Sequence, residues 1–219
     1  MLRALCDQHG ALLIVDEIYT GFGRTGKWFA CEHSATVPDL ICLGKALTGG
    51  FPLSACVGRA DLMDHSWPPS EGEAIHTSTF LGHPVGCAMA LAQLEEIQRR
   101  QLVRRSGQLG DYLLAAVSKL NLQGVQLRIY FRGQGLLLGV EVRNDDETPA
   151  TARVLRTIKS LLQRGFIFLP EGEHANVIGF TPPLTITKRQ LEVAVAALGE
   201  VLSSAELTRS VNSSTGTST

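Results

Sequence analysis

Two apolar runs near the start of the chain each end in a residue able to do chemistry. Ala11-Leu12-Leu13-Ile14-Val15 stops at the acids Asp16 and Glu17, and Leu40-Ile41-Cys42-Leu43 stops at Gly44-Lys45. A run of about five apolar residues without alternation suits a strand buried on both faces, as in a parallel sheet covered by helices. Ligands of such sheets collect just beyond the carboxyl ends of the strands. If the two strands run parallel, Asp16 and Lys45 reach one sheet edge, an acid and an amine at the rim of one pocket. A lysine there can add to a carbonyl to form a Schiff base, and a carboxylate can keep a ring nitrogen protonated. Spacing alone leaves a second reading open, a surface lysine beside a turn or capping aspartate.

The elements that must position this pair follow from pattern. A helix over Met1 to His9 carries Leu2, Leu5 and Cys6 on one face and stops at Gly10. The first strand, Leu12–Val15, follows at once. Between Asp16 and Lys45 there is room for a crossover with a brief helix over Lys27 to His33. The loop from Ala46 to Pro52 is too short for another parallel crossover, so the run Ser54 to Val57 is expected antiparallel to the second strand. Residues 64–83 read as polar and irregular, with a hydroxyl cluster at Thr77-Ser78-Thr79. A helix opens at Pro84, with an apolar face through Val85, Ala88, Met89 and Ala92 toward Ile97. Arg99, Arg100, Arg104 and Arg105 near its end favour the helix dipole. Ser106-Gly107 then interrupts, and Leu109, Leu113, Ala116, Val117 and Leu120 resume the helical spacing.

The character changes near residue 122. Short strands over Val125–Tyr130 and Leu136–Val142 are joined across Arg132-Gly133-Gln134-Gly135. A helix with Val154, Leu155, Ile158, Leu161 and Leu162 on its inner side ends at Gly165, and the runs Phe166–Leu169 and Val177–Phe180 follow. Thr187-Lys188-Arg189-Gln190 is a capping box, opening a last helix with Leu191, Ala194, Val195, Leu198 and Leu202 aligned. The expected organisation is α/β: residues 1–121 as part of a large domain, with a mostly parallel, incomplete sheet and an interdomain helix, and residues 122–205 as a small α+β domain. The Ser/Thr/Gly-rich tail 206–219 reads as disordered.

Composition excludes several classes. A chain of 219 residues with 44% hydrophobic and 19% charged residues can bury a core, and its net charge of −1 gives no reason to expect nucleic acid. No apolar run approaches the roughly 20 residues of a membrane span, and the first ten residues lack a signal peptide's layout. The cysteines Cys6, Cys31, Cys42, Cys56 and Cys87 are odd in number and form no CxxC pair, so they read as reduced core residues in a reducing, cytoplasmic setting. No metal site is expected, since Cys31, Glu32 and His33 are too close in sequence to ligate well. Residues 21–26, Gly-Phe-Gly-Arg-Thr-Gly, spell G-x-G-x-x-G, but five residues separate them from the strand and no helix of useful length follows. Asp39, the acid near the right distance, opens the next strand instead of closing it. These glycines read as a tight loop with positive φ. Lys45 does not match a P-loop either, since no Ser or Thr follows it.

The amine and the acid fit pyridoxal phosphate, whose aldehyde takes a lysine and whose pyridine nitrogen takes a carboxylate. Thr77-Ser78-Thr79, just before the Pro84 helix start, supplies hydroxyls and N–H groups for the phosphate. Four stretches, LLIVDEIYTGFGRTGKWFACEH, PDLICLGKALTGGFPLSACVG, HTSTFLGHPVGCAMALA and FTPPLTIT, closely resemble the class III aminotransferases of fold type I, over about Leu2 to Leu202. That resemblance implies that Lys45 carries the cofactor as a Schiff base and that Asp16 pairs with the pyridine nitrogen. It also implies that Ile18 packs on the ring and Thr79 binds the phosphate across a homodimer interface. Tyr19 stands where glutamine often lies near the ring hydroxyl. The implied reaction is a ping-pong transfer of an amino group from an amine or amino acid to a keto acid or aldehyde.

Two departures stand out. Many members of the family carry an arginine, gripping the substrate α-carboxylate, where this chain has Gly179 in Val177-Ile178-Gly179-Phe180-Thr181. Members also carry about as much chain again before the first helix, so the sequence reads as a C-terminal half. The alternatives are an inactive remnant that dimerises or binds a partner, and another pyridoxal-phosphate reaction such as decarboxylation or amine shift.

Overall fold

The computed structural model describes residues 1–67, 69, 72, 76–120, 122 and 126–204. The expected disordered tail and Val125 lie outside the described residues. The chain divides into two compact units, Met1–Gly107 and the part from Gln108 onward, so the division falls inside a helix rather than in a linker.

In the first unit α1 (Leu2–His9) ends at Gly10, whose φ of 63° gives the left-handed stop that glycine adopts freely. Strands β1 (Ile14–Asp16), β2 (Leu40–Leu43) and β3 (Ala55–Gly58) form one sheet in that order. β1 pairs parallel with β2, Asp16 opposite Cys42, and β2 pairs antiparallel with β3, as loop length requires. Asp39 fastens this sheet. Its Oδ2 accepts the Leu13 N–H at 2.8 Å and Arg3 Nη1 at 2.6 Å, while Oδ1 accepts Arg59 Nη1 at 3.1 Å. The Leu13 N–H first, then the arginines, hold its carboxyl down at about 2.

Several expectations are corrected here. The crossover carries only a 3-10 turn, Ala30–Ser34, in place of a helix over Lys27 to His33. Helix α2 (Ala60–Ser66) lies partly in the stretch read as irregular. Helix α3 (Pro84–Arg99) buries Gly86, Ala90 and Ile97, and leaves Val85, Ala88, Met89 and Ala92 exposed. Gly86 explains the rotated face, because a Cβ there would meet the Phe51 ring at 3.0 Å. The helical run breaks at Gln101, with φ 52°, and not at Ser106-Gly107. Helix α4 (Leu102–Val117) runs straight through those two residues. Ser106 is buried there and donates to the Arg24 carbonyl at 3.1 Å, and Gly107 faces the Gly26 backbone. Small residues allow that approach, so the pair reports packing instead of a break. None of the five cysteines is a core residue: Cys6, Cys31 and Cys42 are half-buried, and Cys56 and Cys87 are exposed.

The second unit holds β4 (Arg128–Gln134), β5 (Leu137–Arg143), β6 (Leu169–Glu171) and β7 (Val177–Phe180) in the order β4-β5-β7-β6, all neighbours antiparallel. Gln134 pairs with Leu137, so the hairpin turns on Gly135-Leu136 and part of the expected linker is strand. β6 begins at Leu169, where the expected run ended. Helix α5 (Thr151–Gln163) packs through Val154, Thr157 and Leu161, whereas Leu155 and Leu162 turn outward. The buried stripe sits at i, i+3 and i+7, and a sequence count cannot tell which border of an apolar arc is covered. Helix α6 (Lys188–Ser203) opens with the expected box: Thr187 Oγ1 accepts the Gln190 N–H at 3.2 Å and Gln190 Oε1 accepts the Thr187 N–H at 2.9 Å. Leu191, Val195, Leu198 and Leu202 are buried as read, joining Val140, Ile178 and Leu161 in one core.

Candidate functional site

The parallel register of β1 and β2 sets Asp16 beside Cys42, and the Glu17 N–H extends the ladder to the Cys42 carbonyl at 3.0 Å. Lys45 comes three residues after Cys42 in sequence, so acid and amine stand at the carboxyl edge of the same strand pair. The Asp16 carboxylate is exposed and oriented, with Oδ1 accepting the Ile18 N–H at 2.9 Å. Among the described residues its Oδ2 has no hydrogen-bond partner.

Lys45 opens a one-turn 3-10 segment, Lys45–Leu47, closed by the Leu47 N–H on the Gly44 carbonyl at 2.9 Å. Its φ of 39° is left-handed, a conformation that costs a non-glycine residue of order 1–3 kcal/mol and collects at functional positions. Lys45 Nζ lies 4.2 Å from the centre of the Tyr19 ring, whose face attracts an ammonium. Gly44 lets Ile18 come close, for a Cβ on Gly44 would lie 3.4 Å from Ile18 Cγ2.

Asp16, Ile18, Tyr19 and Lys45 are thus gathered on one edge. Thr79 is not joined to them: it lies exposed in a turn ahead of α3, and among the described residues no hydrogen bond links it to the other four. An open cleft of about 810 Å³ adjoins this edge, lined by Ile18, Cys42, Leu43, Cys56, Ser78 and Phe80, among others. Of the expected site residues only Ile18 lines it.

Glu17 is the residue that sequence reasoning passed over. It is fully buried, accepts the Cys31 N–H at 2.8 Å and takes the Thr20 hydroxyl, so it pins the loop that follows β1. The signal was present, since adjacent residues at a strand end point to opposite faces and one acid of an Asp-Glu pair must turn inward. A buried carboxylate then needs donors, which Thr20 and the Cys31 backbone supply. The glycines at 21–26 build that loop: Gly23 and Gly26 have φ of 90° and 86°, and a Cβ on Gly21 would lie 2.8 Å from the Glu17 carbonyl.

Gly179 lies on β7, in the second unit, and lines a separate apolar cleft of about 800 Å³ with Arg189 among its walls. The space a side chain would take at 179 is filled by Glu171, whose Oε1 would stand 2.6 Å from an added Cβ.

Residues 1–202 match the profile of the family described as "Aminotransferase class-III". A leucine/methionine racemase of Thermococcus litoralis is 39% identical over 209 residues, covering 94% of this chain and 45% of that protein. Ornithine aminotransferase 1 of Staphylococcus aureus is 41% identical over 201 residues, covering 91% of this chain and 46% of its own. Among solved structures, a phospholyase from Arthrobacter, in complex with phosphoethanolamine, superposes with a TM-score of 0.84 at 28% identity, covering 93% of this chain and 48% of that one. The chain spans about half the length of the curated relatives it matches.

Proposed function

The chain belongs to the class-III aminotransferase family, and on that premise we propose that it is the lysine-bearing half of a transaminase moving an amino group from an amine or amino acid to a keto acid or aldehyde. The observation that carries the reading is the shared edge of β1 and β2, with an oriented acid and an amine on one rim. Class-III aminotransferases are pyridoxal-phosphate enzymes, and the bound cofactor draws electrons from the substrate carbon into its ring.

The residues present fit that group. Lys45 Nζ is the amine that would hold its aldehyde carbon. Asp16 Oδ2 is open to hold a proton on the ring nitrogen, while the Ile18 N–H keeps Oδ1 in place. Ile18 offers an apolar wall beside the unencumbered Gly44. Tyr19 would reach the ring hydroxyl with its phenol. Thr79, standing apart from the other four, suits the role of a phosphate ligand given to the other subunit of a homodimer. As a free amine beside the substrate carbon, Lys45 Nζ would take its proton and return it, as base and then acid, a contribution worth about 10²–10⁴ in rate. In this reading residues 1–121 are part of the cofactor-binding domain with its interdomain helix, and residues 122–205 are the small domain.

Gly179 has no side chain with which to grip an α-carboxylate, so the donor proposed is an ω-amine or a diamine. A donor screen with a clear preference for α-amino acids would overturn that choice. The unpaired cysteines suit a reducing cytoplasm, and among the described residues no helix is long and apolar enough to cross a membrane.

The test is direct. Pyridoxal phosphate is added to the purified chain, the adduct is reduced with borohydride, and the modified peptide is mapped. Label on Lys45, lost in Lys45→Ala, is the expected result. Label on another lysine, or none at saturating cofactor, overturns the proposal that this chain holds the cofactor.

A further inference from the structure

Cys42 and Cys56 are direct partners across the antiparallel pair β2–β3. Such pairs are of two kinds, and main-chain bonds decide which this is. The Cys42 carbonyl accepts the Glu17 N–H at 3.0 Å, and the Leu40 N–H donates to Leu13 at 3.2 Å. Residues 40 and 42 therefore turn their polar main-chain groups toward β1. Asp39, of the other parity, gives its carbonyl to the Arg59 N–H at 3.1 Å, on the β3 side. Cys42 and Cys56 thus form a non-hydrogen-bonded pair, the kind with Cα atoms about 4.5 Å apart and side chains closest. That spacing lies within the range of about 4.4–6.8 Å that a disulfide spans.

The side chains agree with the main chain. Both cysteines line the cleft beside the Lys45 edge, and both are free. Cys56 is exposed, whereas Cys42 is half-buried. Burial, then the facing Cys56 and Asp16, push the Cys42 thiol up. Cys56 is therefore the group that meets an oxidant first.

We propose that Cys42 and Cys56 form a redox-responsive thiol pair, which a small disulfide such as oxidised glutathione converts to a bridge fastening β3 to β2 at the wall of the cleft. The Cys56 thiolate attacks one sulfur of the oxidant, forms a mixed disulfide and releases one glutathione thiolate. The Cys42 thiolate then attacks the Cys56 sulfur and expels the second. Two cysteine thiols lose two electrons and two protons, and one oxidised glutathione becomes two reduced molecules. A dithiol reductant reverses both steps.

The bridge is read without cofactor, so its failure cannot be mistaken for failure of the transaminase reading. The intact chain is treated with oxidised glutathione, free thiols are counted under denaturant, and an unreduced digest is mapped. The expected result is a fall from the five thiols of the sequence to three, with peptides holding Cys42 and Cys56 linked. Cys56→Ser abolishes the link, Cys87→Ser does not, and amide exchange across β3 slows on oxidation and recovers on reduction. A stable mixed disulfide at Cys56 with no link to Cys42, or a bridge between another pair, overturns the proposal.

Discussion

From Gln108 onward a four-stranded sheet is closed by helices over side chains such as Leu113, Val140, Leu161 and Leu198, all at 0% exposure. In Met1–Gly107 a three-stranded sheet leaves Ile14 and Val57 at 59% and 53%, and Leu12, just ahead of it, is at 50%. Both units leave some apolar side chains outside, Leu162, Ile167 and Leu169 among them in the second, but the second gathers one large buried cluster while the sheet of the first keeps apolar side chains on its surface. Contiguous exposed apolar surface marks a face made to be covered. The edge bearing Asp16 and Lys45 belongs to the sheet of the first unit. The residues for chemistry are thus carried on the unit with less internal packing, and the homodimer proposed above is one way of covering it.

The strongest way to break the comparison is truncation in each unit. Leu198→Ala, in the complete core, is expected to cost about 2–5 kcal/mol, read from denaturant unfolding. Ile14→Ala on the open sheet should stay within about 0.5 kcal/mol. Equal costs would show that the two sheets are buried alike in solution.

Acid sharpens the contrast from the other side. Asp39 titrates at about 2 in the folded chain against an ordinary value of 3.8, so folding is favoured while it is ionised. Its contribution is complete above the ordinary value and is lost as pH falls from about 4 to about 2. Amide exchange in β1 and β2 should rise through that window, and Asp39→Asn should flatten the response. The smallest effect expected of a unit already well packed is at its edge: Thr187→Ala removes the capping box of α6 for about 1 kcal/mol, measured by the same unfolding curves.

The amino-acid sequence by itself determined what local rules govern. Loop length made β3 antiparallel to β2 and left room for β1 and β2 to run parallel, the arrangement that places Asp16 and Lys45 at one edge. Gly10 stopped the first helix, and Thr187 with Gln190 opened the last. The four motifs pointed to the family. Tertiary structure decided which side of each element is covered. Val85 and Met89 lie outside on α3, Leu155 and Leu162 outside on α5, and Ser106-Gly107 sits in a close helix contact that a chain read locally takes for a break. It chose Glu17 as the acid of the pair that turns inward, laid Tyr19 under the Lys45 amine and set Cys42 opposite Cys56. The physical reason is register: periodicity tells that a face is apolar, but its neighbour is fixed by pairings many residues away. In the sheet a slip of one residue would put a side chain such as Cys42 on the other face.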